Sequence, residues 1–296
     1  MPATRRGVLL AAALGSTAGC GSSRHGSSPR VVTGAFRSRA RLGRRTGWAV
    51  AYPSGSRTDL PVLVVLHGLG NDHATAMGRL GLDDVQADLS RHGLPRFAIA
   101  SVDGGTTYWH RRPSGEDAGA MVLHEFLPLL HERGLRTDRI GLLGWSMGGY
   151  GALRLAGLLG RSRCAVVVAE SPALWLPGSE ASRSGFADAA EYARFSVMDR
   201  QHDLDGIPAR IDCGSGDPFY DATRAYVAGF PAGHRPEVRY GAGGHEMSFW
   251  RRRAPAQLRF VGSHLTQAPA TTADCSGLPT SSSPMRTRSE WVRGNA

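Results

Sequence analysis

Ser146 has glycines two residues before it and two residues after it, within the segment Gly144 to Gly149. An apolar run that ends at Leu143 precedes this segment, and a stretch with helical character follows it. A sharp turn from a strand into a helix holds a serine in strained backbone geometry, and glycines leave room for that turn. The pattern predicts that Ser146 is a nucleophile. A glycine-rich turn around an ordinary serine is the alternative.

A nucleophilic serine needs a general base and a group that orients the base. His245 lies in a glycine-rich loop after a short candidate strand, and Asp217 lies in a loop directly after another strand. The order serine, acid, histidine is the one that enzymes with this strand-turn-helix nucleophile use. Asp217 and His245 are therefore the predicted partners of Ser146. The remaining alternatives are Asp212 and Asp221 for the acid and His234 for the base.

Attack of a serine on a carbonyl group also needs donors for the oxyanion that develops on the carbonyl oxygen. One predicted donor is the backbone amide of Met147, which follows the nucleophile and begins the helix. A second is the amide of Leu69, in the glycine-rich loop 67–71 that follows an apolar strand. His67 stands at the strand end of that loop, where anchoring the loop is favoured over service as a second base.

These residues must be positioned by a sheet. Short apolar runs alternate with helical stretches, which predicts an α/β fold with a mainly parallel central sheet and helices on both faces. Ligands in such sheets bind beyond the carboxyl ends of the strands, where the candidate residues lie. Two N-terminal segments, 31–36 and 48–52, are predicted to form an antiparallel hairpin at the sheet edge. The central strand candidates are 62–66, 97–100, 140–143, 165–168 and 209–212.

The chain has 296 residues, of which 41% are hydrophobic, enough for one sizeable core. We predict a catalytic domain over residues 30–265, preceded by a flexible tether over 21–29 and followed by a disordered Ser/Thr/Pro-rich tail over 266–296. Ser171 to Asp205 is a long insertion between strands with aromatic residues spread through it, and it is predicted to form a cap-like segment over the site.

Residues 1–20 have the features of an export signal: arginines at positions 5 and 6, an apolar run over 8–14, and small residues before Cys20. The arginine pair is similar to the twin-arginine export pattern, and Thr17 to Cys20 resembles a lipoprotein box with threonine in place of leucine. We expect an exported protein of the cell envelope, either lipid-anchored at Cys20 or secreted. A mis-assigned start codon is the alternative.

The formal net charge is +10, and every lysine-or-arginine position is arginine. The absence of lysine excludes a Schiff-base enzyme, a Walker lysine and a Ser-x-x-Lys base. The arginines are scattered without interleaved aromatic residues, so no nucleic-acid partner is predicted. The internal cysteines Cys164 and Cys213 lie at the ends of apolar runs, which is typical of buried thiols. Neither a metal nor an organic cofactor is predicted, because no ligand spacing suits one.

The motifs resemble those of the esterase D-like family of α/β-hydrolases, which includes S-formylglutathione hydrolases, feruloyl esterases and the antigen 85 mycolyltransferases. The segments that carry the resemblance are His67 to Gly70, Gly144 to Ala152, Cys213 to Phe219, and Gly244-His245 with Phe249-Trp250. The resemblance implies an α/β-hydrolase fold, the same three catalytic residues, and a small-molecule or lipid ester as substrate.

Within this resemblance, the loop 103–110 corresponds to one that lines the substrate pocket. Tyr108 and Trp109 are accordingly candidate substrate-binding residues, and aromatic packing beneath a loop is an equal alternative. The function expected is that of a serine carboxylic ester hydrolase. An acyltransferase that uses the same acyl-enzyme, and a non-catalytic surface lipoprotein that keeps the fold, are the alternatives.

Overall fold

The computed structural model describes residues 30–267. The predicted export signal with Cys20, the predicted tether over 21–29, and residues 268–296 of the predicted tail lie outside the described residues. Within residues 30–267, no helix is long and apolar enough to cross a membrane.

Eight strands within residues 30–267 form one sheet in the order β1-β2-β4-β3-β5-β6-β7-β8. The hairpin of β1 and β2 is antiparallel and its second strand pairs antiparallel with β4, whereas all later pairs are parallel. The predicted edge hairpin and mainly parallel sheet are thereby confirmed. The strands are β1 (Arg30–Ser38), β2 (Arg44–Tyr52), β3 (Leu60–Leu66), β4 (Ala98–Val102), β5 (Leu135–Trp145), β6 (Cys164–Glu170), β7 (Ala209–Gly214) and β8 (Glu237–Gly241).

Helices cover both faces of this sheet. One face packs against α1, α2 and α8, and the other packs against α3 to α7. Successive strand residues serve opposite faces, so Val64 and Val65 belong to different cores, which explains why the central strands are apolar throughout. The helices are α1 (Thr75–Gly78), α2 (Leu82–Ser90), α3 (Ala118–Met121), α4 (Leu127–Glu132), α5 (Met147–Arg163), α6 (Ala189–Phe195), α7 (Tyr220–Ala228) and α8 (Met247–Leu265).

The insertion Ser171–Asp205, called the inserted segment below, contains α6 and two short 3₁₀ turns, Gly178–Glu180 and Gln201–Leu204. Aromatic side chains fasten it to the body of the protein. Phe186 packs on Tyr108 with ring centroids 5.5 Å apart, and the hydroxyl of Tyr150 donates to the carbonyl of Phe195 at 2.6 Å. The inserted segment is therefore held against the sheet by buried contacts on the side that carries α5.

Candidate active site

Ser146 lies between β5 and α5 with φ 57° and ψ −122°. Residues with side chains rarely adopt positive φ, so the surrounding structure must hold this conformation. The amide of Ser146 donates to the carbonyl of Glu170 at 2.9 Å, and its own carbonyl accepts from the amides of Tyr150 and Ala173 at 3.1 and 3.0 Å. Bonds from three directions therefore fix the turn and present the side chain beyond the carboxyl end of β5.

The glycines around Ser146 have a steric function. A Cβ atom on Gly144 would lie 2.1 Å from the carbonyl oxygen of Gly148, and one on Gly148 would lie 1.9 Å from the carbonyl oxygen of Leu66. Both approaches involve backbone atoms that cannot rotate away. Glycine is therefore required at these positions because β3, β5 and α5 approach each other so closely at this turn.

His245 and Asp217 meet Ser146 beyond the ends of the strands. Nε2 of His245 lies 2.8 Å from Oγ of Ser146, and Nδ1 of His245 lies 2.9 Å from Oδ2 of Asp217. The carboxylate accepts from Nδ1–H, so Nε2 has its lone pair directed at the serine hydroxyl. The side chain of Asp217 is fully buried and its Oδ1 also accepts the amide of Phe219 at 2.9 Å. This arrangement can move a proton from the serine to the imidazole.

Two loops bring the acid and the histidine together. The amides of Ser215 and Gly216, on the Asp217 loop, donate to the carbonyls of Gly241 and Gly243, on the His245 loop, at 2.8 and 2.9 Å. The loops can approach this closely because a Cβ atom on Gly214, at the end of β7, would lie 2.3 Å from the carbonyl oxygen of Gly243. The glycine-rich composition of both loops therefore serves their contact.

The rival residues lie elsewhere. Asp212 is buried within β7, where it accepts hydrogen bonds from Arg210 and Gln257. Asp221 is an exposed residue of α7. His234 is exposed and pairs with Asp205 at 3.2 Å. The structure therefore groups Ser146 with Asp217 and His245 and with none of these alternatives.

Aromatic rings hold the imidazole of His245 edge-on. Phe219 lies 5.2 Å from it at an interplanar angle of 74°, and Trp250 of α8 lies 5.0 Å from it at 89°. Trp250 is fixed in turn, because its Nε1 donates to Oγ of Ser171 at 3.1 Å. Phe219 also packs against Trp175 of the inserted segment at 5.2 Å. An aromatic wall therefore runs from His245 to the inserted segment.

The loop 67–71 lies beside Ser146. A Cβ atom on Gly68 would lie 3.3 Å from Cβ of Ser146, and Oδ1 of Asn71 accepts from Nε1 of Trp145 at 3.2 Å. Within residues 30–267, neither the amide of Leu69 nor that of Met147 donates to a protein acceptor. Two free backbone donors are thus available near Ser146.

His67 anchors this loop through both ring nitrogens. Its Nδ1 donates to the carbonyl of Gly68 at 2.8 Å, and its Nε2 accepts from the amide of Gly104 at 2.9 Å. Burial lowers the pKa of His67, which keeps the neutral form that this pair of bonds requires. These bonds support the interpretation of His67 as an anchor.

Tyr108 and Trp109 both have positive φ and both are buried. Trp109 is completely enclosed, with its ring against Gly104 and Gly151. Tyr108 packs against Tyr150, Trp175 and Phe186. These positions favour the alternative of packing beneath a loop, and contact of either residue with substrate stays a prediction.

Sequence reasoning missed three residues around the site. Phe219 and Trp175 form the aromatic wall, and no local pattern distinguishes them from core aromatic residues. Glu170 accepts the amide of Ser146 through its backbone carbonyl. Its side chain had a signal, since it is a carboxyl group at the end of the apolar run 165–169. The buried, free thiols of Cys164 and Cys213 confirm their predicted environment. Among residues 30–267, no cluster of His, Cys, Asp or Glu side chains is arranged to hold a metal ion.

No protein-family model and no curated protein matches the chain. Among solved structures, similarity is found to a ferulic acid esterase at 24% identity and TM-score 0.68, covering 80% of this chain and 99% of that one. The fluorophosphonate-binding serine hydrolase F of Staphylococcus aureus matches at 16% identity and TM-score 0.66, again over 80% and 99%.

An S-formylglutathione hydrolase from Agrobacterium tumefaciens matches at 19% identity and TM-score 0.64, over 80% of this chain and 96% of that one. The neighbours include two of the esterase classes that the sequence motifs resemble. At these identities the similarity concerns the arrangement of the backbone. The chain has the α/β-hydrolase fold.

Proposed function

We propose that this chain is a serine carboxylic ester hydrolase that acts through an acyl-enzyme, with Ser146, His245 and Asp217 as its catalytic residues. The observation that carries the proposal is the continuous line of hydrogen bonds from Asp217 through His245 to Ser146, at 2.9 and 2.8 Å. Structural neighbours that are named as esterases or S-formylglutathione hydrolases support the choice of an ester as substrate.

The reaction has two halves. In the first, Oγ of Ser146 attacks the ester carbonyl carbon while Nε2 of His245 takes the hydroxyl proton; the carbon–oxygen bond to the alcohol then breaks, and the alcohol leaves with that proton. In the second, His245 takes a proton from water, the resulting hydroxide attacks the acyl carbon, and Oγ leaves and is reprotonated. Asp217 stabilises the imidazolium in both halves.

Negative charge on the carbonyl oxygen is stabilised by the amides of Met147 and Leu69. Met147 is the first residue of α5, so the positive end of the helix dipole adds to its amide. Such donors are preorganised and act in a partly dehydrated site, where each contributes on the order of 10²-fold to kcat.

The ester-binding surface is assigned to the aromatic wall of Phe219 and Trp175 together with the loop 67–71. Leu69, in the loop 67–71, is 42% exposed, and Leu176, in the inserted segment, is 53% exposed. An apolar wall with exposed leucines suits the apolar part of a small-molecule or lipid ester. The inserted segment acts as the cap that shapes this surface.

The test is a comparison of Ser146→Ala with Ser263→Ala, which removes an exposed hydroxyl on α8. On p-nitrophenyl esters of graded acyl length we expect Ser146→Ala to lower kcat by at least about 10³-fold and Ser263→Ala to leave it unchanged. Wild-type turnover in Ser146→Ala would disprove the assignment. Failure of a fluorophosphonate to label Ser146 in the folded protein would favour a non-catalytic role. Partition of the acyl group into added alcohols rather than water would identify an acyltransferase.

We also propose that the protein is exported to the cell envelope, on the strength of the arginine pair, the apolar run and the small residues before Cys20. Mass spectrometry of the N-terminus from membrane and secreted fractions is the test. A diacylated Cys20 in the membrane fraction would identify a lipid anchor, and a processed, unmodified terminus would identify a secreted form. An intact residue 1 in the cytoplasm would overturn export.

A further inference from the structure

Glu170 is a buried carboxyl group next to the nucleophile. It ends β6, is 1% exposed, and binds the amide of Ser146 through its backbone carbonyl. A carboxylate so far from water is costly unless it is paired or protonated. The proposed reaction uses no group at this position, so the carboxyl requires another explanation.

The partner of Glu170 is given by strand register. Glu170 is opposite Asp212 in the parallel pair of β6 and β7. Residues in register on neighbouring strands project from the same face of a sheet, so the two carboxyl groups lie side by side. Both are buried, at 1% and 0% exposure.

The hydrogen bonds around the pair are incomplete. Oδ2 of Asp212 accepts from Nε of Arg210 at 3.0 Å and from Nε2 of Gln257 at 2.9 Å. Within residues 30–267, Oδ1 of Asp212 and Oε1 of Glu170 are buried without a hydrogen-bond partner. A neutral carboxyl on Glu170 carries an O–H donor, and a bond from it to the free oxygen of Asp212 would satisfy both groups with one proton.

The charges around Glu170 support this placement of the proton. Burial, and next the charge of Asp212, raise the pKa of Glu170 well above its ordinary value of 4.5. The amide of Gln257, and then the charges of Arg253 of α8 and Arg210 of β7, lower this pKa. The Arg210 guanidinium is itself paired with Asp212 and Glu237. The thiol of Cys213, also near Glu170, stays neutral because burial raises its pKa to about 12.

The backbone carbonyls of Glu170 and Asp212 connect this pair of residues to Ser146 and, through Ser171 and Trp250, to His245. Glu170 holds the amide of Ser146, and the carbonyl of Asp212 accepts the amide of Ser171 at 2.7 Å. Oγ of Ser171 accepts from Trp250, whose ring packs edge-on against His245. Movement of the carboxyl ends of β6 and β7 would therefore be transmitted to Ser146 and to His245.

We propose that Glu170 is a positioning residue, whose protonated carboxyl bridges to Asp212 and holds the ends of β6 and β7 beneath Ser146 and His245. The proposal rests on the function assigned to Ser146. Removing the proton at alkaline pH leaves two carboxylates side by side, which repel each other and separate the strand ends. The added negative charge also opposes the oxyanion. Turnover falls for both reasons.

The test compares kcat from about pH 6 to about pH 10 for the wild type, Glu170→Gln and Glu170→Ala. The glutamine side chain can donate to Asp212 and does not ionise. The kcat of Glu170→Gln, divided by that of the wild type, should therefore rise at least about 10-fold as pH increases across this range. Alanine leaves Oδ1 of Asp212 unpaired, so its kcat near neutrality should be about 10-fold below that of glutamine, with KM little changed. Superimposable profiles for wild type and Glu170→Gln, or equal kcat for glutamine and alanine, would overturn the proposal.

A second measurement does not depend on turnover. In a Ser146→Ala background, infrared spectroscopy should show the carbonyl stretch of a neutral carboxyl near neutral pH, and Glu170→Gln should remove it. Because the pKa of Glu170 is raised on folding, the wild type should lose stability to urea relative to Glu170→Gln as pH rises from 4.5 towards the folded pKa. If the wild type is active but the neutral-carboxyl band is absent, the role proposed for Glu170 is wrong while the proposed function stands. An inactive, folded protein with the band would disprove only the proposed function.

Discussion

On one side of His245, Ser146 lies in a turn built by β5 and α5, whereas on the other side Phe219 and Trp175 come from a loop and from the inserted segment. The backbone on the first side is packed so closely that a Cβ atom added to Gly148 would lie 1.9 Å from the carbonyl oxygen of Leu66. The second is held by aromatic rings with centroids 5 to 6 Å apart. Positions where backbones touch can hold only glycine, whereas positions where rings pack can hold many apolar residues.

Under the proposed function, the first side carries the chemistry and the second side carries the selectivity. A serine that must attack a carbonyl carbon requires placement to a fraction of an ångström, which close backbone packing supplies. A surface that receives an apolar group tolerates more variation, which interdigitated side chains allow. We therefore expect substitutions on the first side to change kcat and those on the second to change KM.

Among substitutions that alter packing, Gly148→Ala should have the largest effect on turnover. The new Cβ overlaps the carbonyl of Leu66, so β3 and α5 must separate, and kcat should fall at least about 100-fold through misplacement of Ser146. The free energy of unfolding should fall by about 3 kcal/mol, the upper range for an overpacked core. Urea unfolding and ester turnover measure the two effects.

Gly78→Ala in α1 is the matched control, because nothing lies within 4 Å of the added Cβ and its φ is not positive. It should leave turnover unchanged and stabilise the protein by up to about 1 kcal/mol. If Gly148→Ala behaved like this control, backbone contact would not be what holds the nucleophile.

The same contrast explains what could be predicted from the sequence. The position of Ser146 was predictable because steric contact requires glycine, and the strand pattern places Asp217 and His245 beyond the same edge of the sheet. The start of β5 at Leu135, five residues before the predicted start, was hidden because residues 136–139 are polar and lie where the register against β3 shifts. The wall of Phe219 and Trp175 was not predictable, since packing between distant aromatic residues leaves no local pattern.

Phe186→Ala tests the second side and should have an intermediate effect on the kinetic constants. Phe186 is 1% exposed and packs among Tyr108, Trp175 and Tyr192. Its removal should lower the free energy of unfolding by about 3–5 kcal/mol and loosen the inserted segment. KM for a long-chain ester should rise about 3- to 10-fold while kcat changes less, because Ser146 keeps its backbone support.

Phe126→Ala is the control for this prediction. Phe126 is fully buried in the same core but lies in the helical turn Val122–Phe126, outside the inserted segment. Phe126→Ala should lower the free energy of unfolding by a similar amount and leave KM near that of the wild type. Equal changes in KM for both variants would show that stability alone, and not the cap, governs substrate binding.

The smallest expected effect is the loss of stability when His67 is protonated. His67 anchors the loop 67–71, which lies on the first side. Burial lowers the pKa of His67, so the folded protein binds fewer protons there than the unfolded chain does. The stability that His67 contributes is therefore present above the unfolded pKa of about 6.5 and is lost as pH falls from that value through the folded pKa. Protonation also removes the lone pair that accepts the amide of Gly104.

His67→Gln keeps an acceptor for Gly104 and does not titrate, so the urea midpoint of the wild type should fall relative to this variant as pH is lowered from about 7 to about 4. Other histidines titrate equally in both proteins, which isolates the contribution of His67. A difference in midpoint that stayed constant across this range would mean that the loop does not depend on a neutral imidazole. The backbone of β3 still confines Gly68 when His67 is protonated. The loss of stability should therefore be smaller than that in Gly148→Ala, and the loop 67–71 should tolerate more change than the rest of the first side.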